Sequence, residues 1–270
     1  MLTIFILLLL GFPIGIFSGL LGIGGGVFIV PTFYMLFPTY PAQAVIATSL
    51  TSIFIGNLIT NYHFYKQKRI PEKKILIPML VAIAIGSLIG QKTTFLFDPL
   101  TLKKIFATLL LVLMLQMLLS RKVQGRIENP ATLRNKEKFY APISALLAGF
   151  IGGITGLGGG VIMVPVLNIF CKMRMTWVVV YSNLAIGIGT LTALIAFGLK
   201  PMETSLIKHS LFTSFQLGHI NFAMVFLVIP GAYLASKWGS RLSERLSQKT
   251  IKFIFSALLL LMSLKIFLNT

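Results

Sequence analysis

The stretch GIGGGVFIVP, residues 22–31, returns almost unchanged as GLGGGVIMVP, residues 156–165. The two copies share four glycines, two valines and the proline, and the same offset of 134 residues pairs Gly15 with Gly149. Repetition at a fixed offset is typical of a duplicated structural unit. The sequence therefore predicts two related halves, each carrying one glycine run followed by an apolar segment.

The composition around these runs is that of a membrane protein. Of the 270 residues, 56% are hydrophobic and 11% are charged, and the mean hydropathy is +0.90. Soluble domains carry roughly 25% charged residues, so this composition excludes an ordinary soluble globule. We expect an all-α membrane protein, a polytopic helical bundle with a first repeat at residues 1–120, a cytoplasmic linker at 121–138 and a second repeat at 139–270.

Each half contains five apolar segments, of which the second is too short to cross a bilayer easily. Both short segments directly follow a glycine run, which predicts either a broken helix or a re-entrant hairpin, and both options return the chain to the side from which it came. Three spanning helices complete each repeat. The predicted segments are Thr3–Leu21, Val27–Phe37, Ala42–Phe64, Ile75–Gly90 and Ile105–Leu119 in the first half, and Tyr140–Thr155, Val161–Phe170, Trp177–Leu199, His219–Ser236 and Phe253–Leu268 in the second.

The positive charges indicate how these segments are oriented. The chain has 24 basic and 6 acidic residues, and 18 of the basic ones fall in loops that the segment order places on one side. By the positive-inside rule this side is cytoplasmic, both chain ends are outside, and the two repeats have inverted topology in the cell (inner) membrane. The net charge of +18 is then a topology signal and gives no reason to expect nucleic-acid binding. The cytoplasmic groups are Lys66–Lys74, Arg121–Lys138, Lys172 with Arg174, and Lys237–Lys252.

The glycine runs are the first candidate site. Glycines at a helix break allow backbone N–H groups to converge, and the following helix adds the positive end of its dipole, so such a turn favours an anion. Close packing of helices on small residues is the alternative, but two matching runs in inverted halves favour a substrate site at the membrane centre. The candidate residues are Gly24, Gly25, Gly26, Gly158, Gly159 and Gly160.

Polar residues within the third segment of each half are the second candidate group. Their side chains could donate hydrogen bonds to a bound oxyanion, and the repeat relates Ser49 to Ser182. The alternative is that they join helices or bond to their own helix backbone. The candidates are Thr48, Ser49, Ser52, Ser182 and Asn183.

The acidic residues favour an anion over a cation as substrate. All 6 lie in loops or at segment ends, so no carboxylate is predicted at the membrane centre. A single cysteine excludes a cysteine metal cluster, and no histidine pair is spaced convincingly for a metal. We expect no metal and no cofactor. No buried catalytic constellation accompanies any serine, so an intramembrane enzyme is the weakest interpretation.

At these positions the sequence resembles the TauE/SafE family of membrane permeases, also called the sulfite exporter family. The similarity covers nearly the whole chain, and one departure stands at Tyr181-Ser182-Asn183, where the family often has a Gly-Thr-Ser type step. A tyrosine there is expected to narrow the pocket. The resemblance is carried by Gly15, Ser18-Gly19, residues 22–31, Ala47-Thr48-Ser49-Leu50, Gly149, Gly152-Gly153, residues 156–165 and the closing helices after Gly86 and Gly231.

The resemblance implies transport, commonly export, of small sulfur-containing anions such as sulfite or organosulfonates. The residues and the resemblance together predict a secondary transporter for a small oxyanion that works by alternating access, with membrane lipids as its surroundings. A non-transporting membrane scaffold that assists assembly of another complex is the alternative, favoured by the small-residue helix faces. The sequence leaves the oligomeric state open.

Overall fold

The computed structural model describes residues 2–21, 25–38, 40–119, 135–202 and 215–268. Within these ranges the chain is almost entirely helical, with one two-stranded antiparallel hairpin, β1 (Gln216–Leu217) and β2 (Ile220–Asn221). The helices are α1 (Leu2–Leu21), α2 (Gly26–Leu36), α3 (Ala42–Lys66), α4 (Lys73–Thr94), α5 (Pro99–Leu119), α6 (Asn135–Thr155), α7 (Gly160–Ile169), α8 (Met175–Leu199), α9 (Phe222–Arg245) and α10 (Gln248–Leu268).

The helix lengths confirm the predicted class of an all-α, multi-pass membrane protein. Within the described ranges, 6 helices are long and apolar enough to cross a membrane. The stretches that qualify are Ala42–Lys66, Lys73–Thr94, Pro99–Leu119, Lys138–Thr155, Met175–Leu199 and Phe222–Gly239. Long apolar side chains remain exposed along them, among them Ile77, Val81 and Leu234, as expected for helices whose outer faces contact lipid.

The two short helices each follow a glycine run, as predicted. α2 has 11 residues and α7 has 10, and at about 1.5 Å per residue such a helix crosses roughly half of a 30 Å hydrocarbon layer. α6 and α7 form an antiparallel hairpin, because the Phe170 ring at the end of α7 lies 5.8 Å from the Tyr140 ring near the start of α6. The chain therefore returns to the end of the bundle from which α6 started.

The first helix of each half packs against a helix of the other half. α1 of the first half packs along α9 of the second, and α6 of the second packs along α4 of the first. A Cβ atom at Gly90 would overlap the carbonyl oxygen of Phe150, and at the matching contact a Cβ atom at Gly239 would overlap that of Ile16. Both pairs therefore need glycine for direct backbone contact. These two contacts lie at related positions, as expected for two related halves. The inverted orientation of the halves in a membrane stays a prediction.

Two further helix pairs join the halves at equivalent places. α3 packs on α8, the third helix of each half, and α5 packs on α10, the last helix of each half. The Ser263 hydroxyl on α10 donates to the carbonyl oxygen of Ala107 on α5 at 2.9 Å, and both residues are buried. The core is continuous through these contacts.

The predicted helical segment His219–Ser236 is wrong at its start. His219 lies in the turn of the β-hairpin, and α9 begins only at Phe222. The hairpin turn contains Gly218 with φ +55°, and the Asn221 side chain accepts from the N–H of Met224 and so caps α9. Hydropathy alone does not show either feature.

The division into repeats and linker stays a prediction. Residues 120–134, which include most of the predicted linker, lie outside the described residues, and α6 begins at Asn135, inside the predicted linker range.

Replacing Gly90 by alanine is expected to lower the free energy of unfolding by about 1–3 kcal/mol, because the added methyl group would overlap the backbone of α6. Gly56→Ala is the matched control, since no heavy atom lies within 4 Å of a Cβ at Gly56 and alanine favours a helix over glycine. Thermal unfolding in detergent measures both. A Gly90→Ala protein as stable as Gly56→Ala would show that α4 and α6 do not touch here.

Candidate functional site

The two glycine runs meet at the centre of the bundle. A Cβ atom at Gly26, the first residue of α2, would lie 2.9 Å from the carbonyl oxygen of Gly156 and 3.1 Å from the Cα of Leu157. The start of α2 is therefore in direct contact with the loop that precedes α7. Gly24 lies outside the described residues, so its predicted place at this contact stays a prediction.

The loop before α7 has a backbone that glycine adopts far more easily than other residues. Gly156, Gly158 and Gly159 have φ values of +78°, +73° and +84°. These values lie in the left-handed region, which a Cβ atom makes costly. The glycines thus reverse the chain between α6 and α7 and also allow the loop to touch its neighbours, since a Cβ atom at Gly159 would overlap the carbonyl oxygen of Ala148.

Both short helices begin without a side-chain cap. Gly25 is the N-cap residue of α2 and Gly159 that of α7, and neither helix has a capping side-chain hydrogen bond. The first N–H groups of a helix have no partner within it, and the helix dipole adds partial positive charge there. Since Gly26 and Gly160 are buried, two positive helix ends face a region of low dielectric constant.

Ser49, one of the polar candidates, lies at the glycine contact. Its hydroxyl is fully buried on α3 and donates to the carbonyl oxygen of Gly156 at 2.9 Å. Thr48, the neighbouring candidate, faces a different element, because its Oγ1 accepts from the N–H of Asn221 at 3.1 Å. α3 therefore holds both the second glycine loop and the hairpin before α9.

The other polar candidates bond to their own helices. The Ser52 hydroxyl donates to the carbonyl of Thr48 at 2.9 Å. On α8, the Ser182 hydroxyl and the Asn183 amide both donate to the carbonyl of Val179, at 3.2 and 2.9 Å. All three side chains therefore use a donor for a carbonyl of their own helix, which is the alternative given in the sequence analysis. Their predicted contact with a substrate stays a prediction.

Apolar side chains surround the second loop. A Cβ atom at Gly158 would lie 3.1 Å from Ile53 Cδ1 on α3 and 3.4 Å from Ile186 Cγ2 on α8. The acids lie elsewhere: within the described ranges, Glu72 is the N-cap of α4 and Asp98 directly precedes α5. The Thr101 side chain donates to Asp98 and holds the pKa of that carboxyl below its ordinary value. Neither carboxylate adjoins the glycine contact.

The sequence interpretation missed one residue of the site and did not predict the contact of another. Gly156 belongs to the repeated run but was not among the candidates, although its carbonyl is the partner of Ser49. Tyr181 was predicted to narrow a pocket, and the structure shows its buried hydroxyl accepting from the N–H of Glu72 at 2.8 Å. This bond ties α8 to the start of α4, and the narrowing itself stays a prediction.

A cavity of about 440 Å³ lies between α5 and α6, next to the second loop. Thr108 and Thr155 contribute hydroxyls to its wall, but both donate to carbonyls of their own helices. The remaining wall is mainly apolar, with Lys104 as the one charged residue of the lining. The cavity therefore offers less to an anion than the glycine contact does.

The known proteins that this chain resembles are all described as membrane transporters or exporters. The family model described as Sulfite exporter TauE/SafE matches residues 7–266. A probable membrane transporter protein of Haemophilus influenzae is 31% identical over 241 residues, covering 89% of this chain and 87% of the relative. The probable membrane transporter protein YunE of Bacillus subtilis is 25% identical, covering 95% and 94% of the two chains. No solved structure matches.

The two N-cap glycines are expected to differ sharply when replaced by alanine. Gly159→Ala should lower the free energy of unfolding by about 1–3 kcal/mol, because alanine is strained at φ +84° and its methyl group would meet Ala148. Gly25→Ala should cost much less, because Gly25 has φ −72° and its nearest neighbour is the flexible Ile29 side chain at 3.3 Å. Thermal unfolding compares the two, and equal losses would contradict this account of the loop.

Proposed function

Because the chain belongs to the sulfite exporter TauE/SafE family, we propose that it is a secondary transporter for a small oxyanion, sulfite or an organosulfonate. The relatives, named as probable membrane transporter proteins, support the transport function and favour a role other than catalysis. Export is the direction that we propose, with the small sulfur-containing anion as the partner of the site and membrane lipids around the bundle.

The contact between the uncapped start of α2 and the loop that leads into the uncapped start of α7 is the observation that carries this proposal. An anion near a helix N-terminus gains about 0.3–1 kcal/mol at an exposed site and more where water is excluded. Here the start of α2 adjoins the loop that leads into α7, through Gly26 and Leu157, and no acid adjoins this contact among the described residues. Discontinuous helices whose N-termini face an anionic substrate group are a recurring feature of transporters.

The packing of the helices indicates which parts move during alternating access. Backbone contact at Gly90 and Gly239 makes α4–α6 one close pair and α1–α9 another, and each pair takes one helix from each half. Such contacts leave no room for one half to slide past the other as a whole. We therefore propose that the pairs α4–α6 and α1–α9 rock against each other, and that the N-termini of α2 and α7 lie between these pairs.

The location that we propose is the cell (inner) membrane, with both chain ends outside. The support is the distribution of charge, because the loops at Lys66–Lys74 and Lys237–Lys252 are rich in basic residues.

Gly25→Asp and Gly25→Asn separate charge from shape at the start of α2. Both side chains can cap the helix, so both should preserve or raise its stability. Aspartate also brings a negative charge to the proposed site, and we expect it to lower anion flux by at least about tenfold, while asparagine retains most of the flux. Uptake of labelled sulfite and methanesulfonate into proteoliposomes measures this, with thermal unfolding as the control for folding.

The outcomes decide between the transporter and the scaffold. Equal flux in both variants would mean that no anion passes near Gly25. Folded protein that carries neither anion, nor any other small oxyanion tested, would overturn the transport proposal and leave the non-transporting scaffold.

The orientation has a separate test. Lys68 and Arg241 are both exposed and lie in loops or helix ends that we assign to the cytoplasm. In intact cells, cysteines at these two positions should resist a thiol reagent that does not cross membranes, and they should react once the cells are opened. Reaction of either position from outside would reverse the proposed orientation.

A further inference from the structure

Two asparagines of α3 carry polar atoms without a hydrogen-bond partner. Asn57 is only 8% exposed, and its buried Nδ2 has no partner within the described parts of the chain. The buried Oδ1 of Asn61, one turn further along, has none either. A buried polar group without a partner is costly, and native structures retain such groups where a ligand or water binds them. The two atoms are an N–H donor and a carbonyl acceptor.

Their position continues the face of α3 that contacts the glycine loop. Ile53, which lies against Gly158, precedes Asn57 by one helical turn and Asn61 by two. The asparagines therefore lie about 6 and 12 Å from Ile53 along α3, toward the basic end of the helix at Lys66. Asn61 also reaches the opposite helix, because its Nδ2 lies 3.5 Å from the position of a Cβ at Gly187 on α8. Both halves thus border this site.

The space beside the asparagines is open. No heavy atom lies within 4 Å of a Cβ at Gly56, and the Asn61 amide is the one neighbour found for a Cβ at Gly187. Two residues further along α8 and on another face, a Cβ at Gly189 would lie 3.1 Å from Ile83 Cγ1, so that face packs closely on α4. The face of α8 beside Asn61 is therefore less closely packed than the face on α4, and the helix pairs at Gly90 and Gly239 are packed backbone to backbone.

We propose that Asn57 and Asn61 form a second binding position for the oxyanion, between the glycine contact and the basic ends of α3 and α8. The proposal rests on the function proposed above, since it concerns the path of the same anion. Asn57 donates its amide N–H to an oxygen of the anion. Asn61 accepts from an O–H, either on the anion itself or on a water that accompanies it.

Neutral carboxamides suit a position through which an anion must pass. A lysine or arginine would bind the anion strongly and delay its release, whereas an amide replaces hydration with one or two hydrogen bonds. The bonds are worth more here than in water because the surroundings exclude solvent. An anion that leaves the helix N-termini would therefore bind next at the asparagines, more weakly, before its release.

Asn57→Leu and Asn61→Leu keep the side-chain size and remove the polar atoms. We expect each to lower labelled-sulfite flux in proteoliposomes about tenfold or more, the usual effect of losing a hydrogen bond to a charged group. Thr51→Val is the matched control on the same helix, because the buried Thr51 hydroxyl donates to the carbonyl of Ala47 in its own helix. It should leave flux close to that of the unaltered protein. Unaltered flux in both leucine variants would overturn the second position and leave the transport proposal intact.

A measurement without transport separates the two proposals. Asn61→Cys should react with N-ethylmaleimide in folded protein, and methanesulfonate should slow that reaction, while the exposed Lys68→Cys should react at a rate that the anion does not change. The unaltered chain gives the background, since Cys171 is buried. Protection by methanesulfonate supports the binding position even if no flux is found. An unreactive cysteine, or a reactive one that the anion does not protect, overturns it.

Discussion

The contact between the start of α2 and the loop before α7 is the constraint on which the bundle depends. Gly26 must approach Gly156 within van der Waals distance, and the Ser49 hydroxyl holds the same carbonyl from α3. Helices of 11 and 10 residues are too short to cross a membrane, and in the placement that we propose the first N–H groups at their buried starts must find partners in the protein or in a ligand. The uncapped start of α2 lies against the loop that leads into α7, with no acid beside this contact in the described residues, and this arrangement supports our proposal that the centre of the bundle favours negative charge.

Much of this architecture could be predicted from the sequence. The repeated glycine runs, the short segments after them and the long apolar helices follow directly from composition and period, because lipid permits few alternatives to a helix. The hairpin at residues 216–221 could not be predicted in the same way, since its short strands depend on Gly218 and on the Asn221 cap, which hydropathy does not register. These six residues form a hairpin because of local turn and capping interactions, although apolar residues surround them in the sequence.

The candidate site was predicted less completely. The sequence named Ser49 as a candidate donor to an anion, but it could not show whether a hydroxyl points across the helix contact, as that of Ser49 does, or back to its own helix. Ser52 and Ser182 bond to their own helices, and the choice depends on rotamers that the neighbouring helix decides. Asn57 and Asn61 illustrate the reverse case, since their unpartnered atoms appear only when the surrounding packing is known.

Equivalent positions of the two halves do not have equivalent conformations. Gly25 and Gly159 correspond in the repeat, yet their φ values are −72° and +84°. The two faces of α8 also differ in their packing, because Gly187 has only the Asn61 amide of α3 beside it, whereas Gly189 packs closely on Ile83 of α4. If two related halves were identical in every state, access would be equal from both sides of the membrane, and alternation would be impossible. A transporter that alternates as we propose must therefore hold its related halves in different conformations at any moment, and the φ values of Gly25 and Gly159 are one place where the two halves differ.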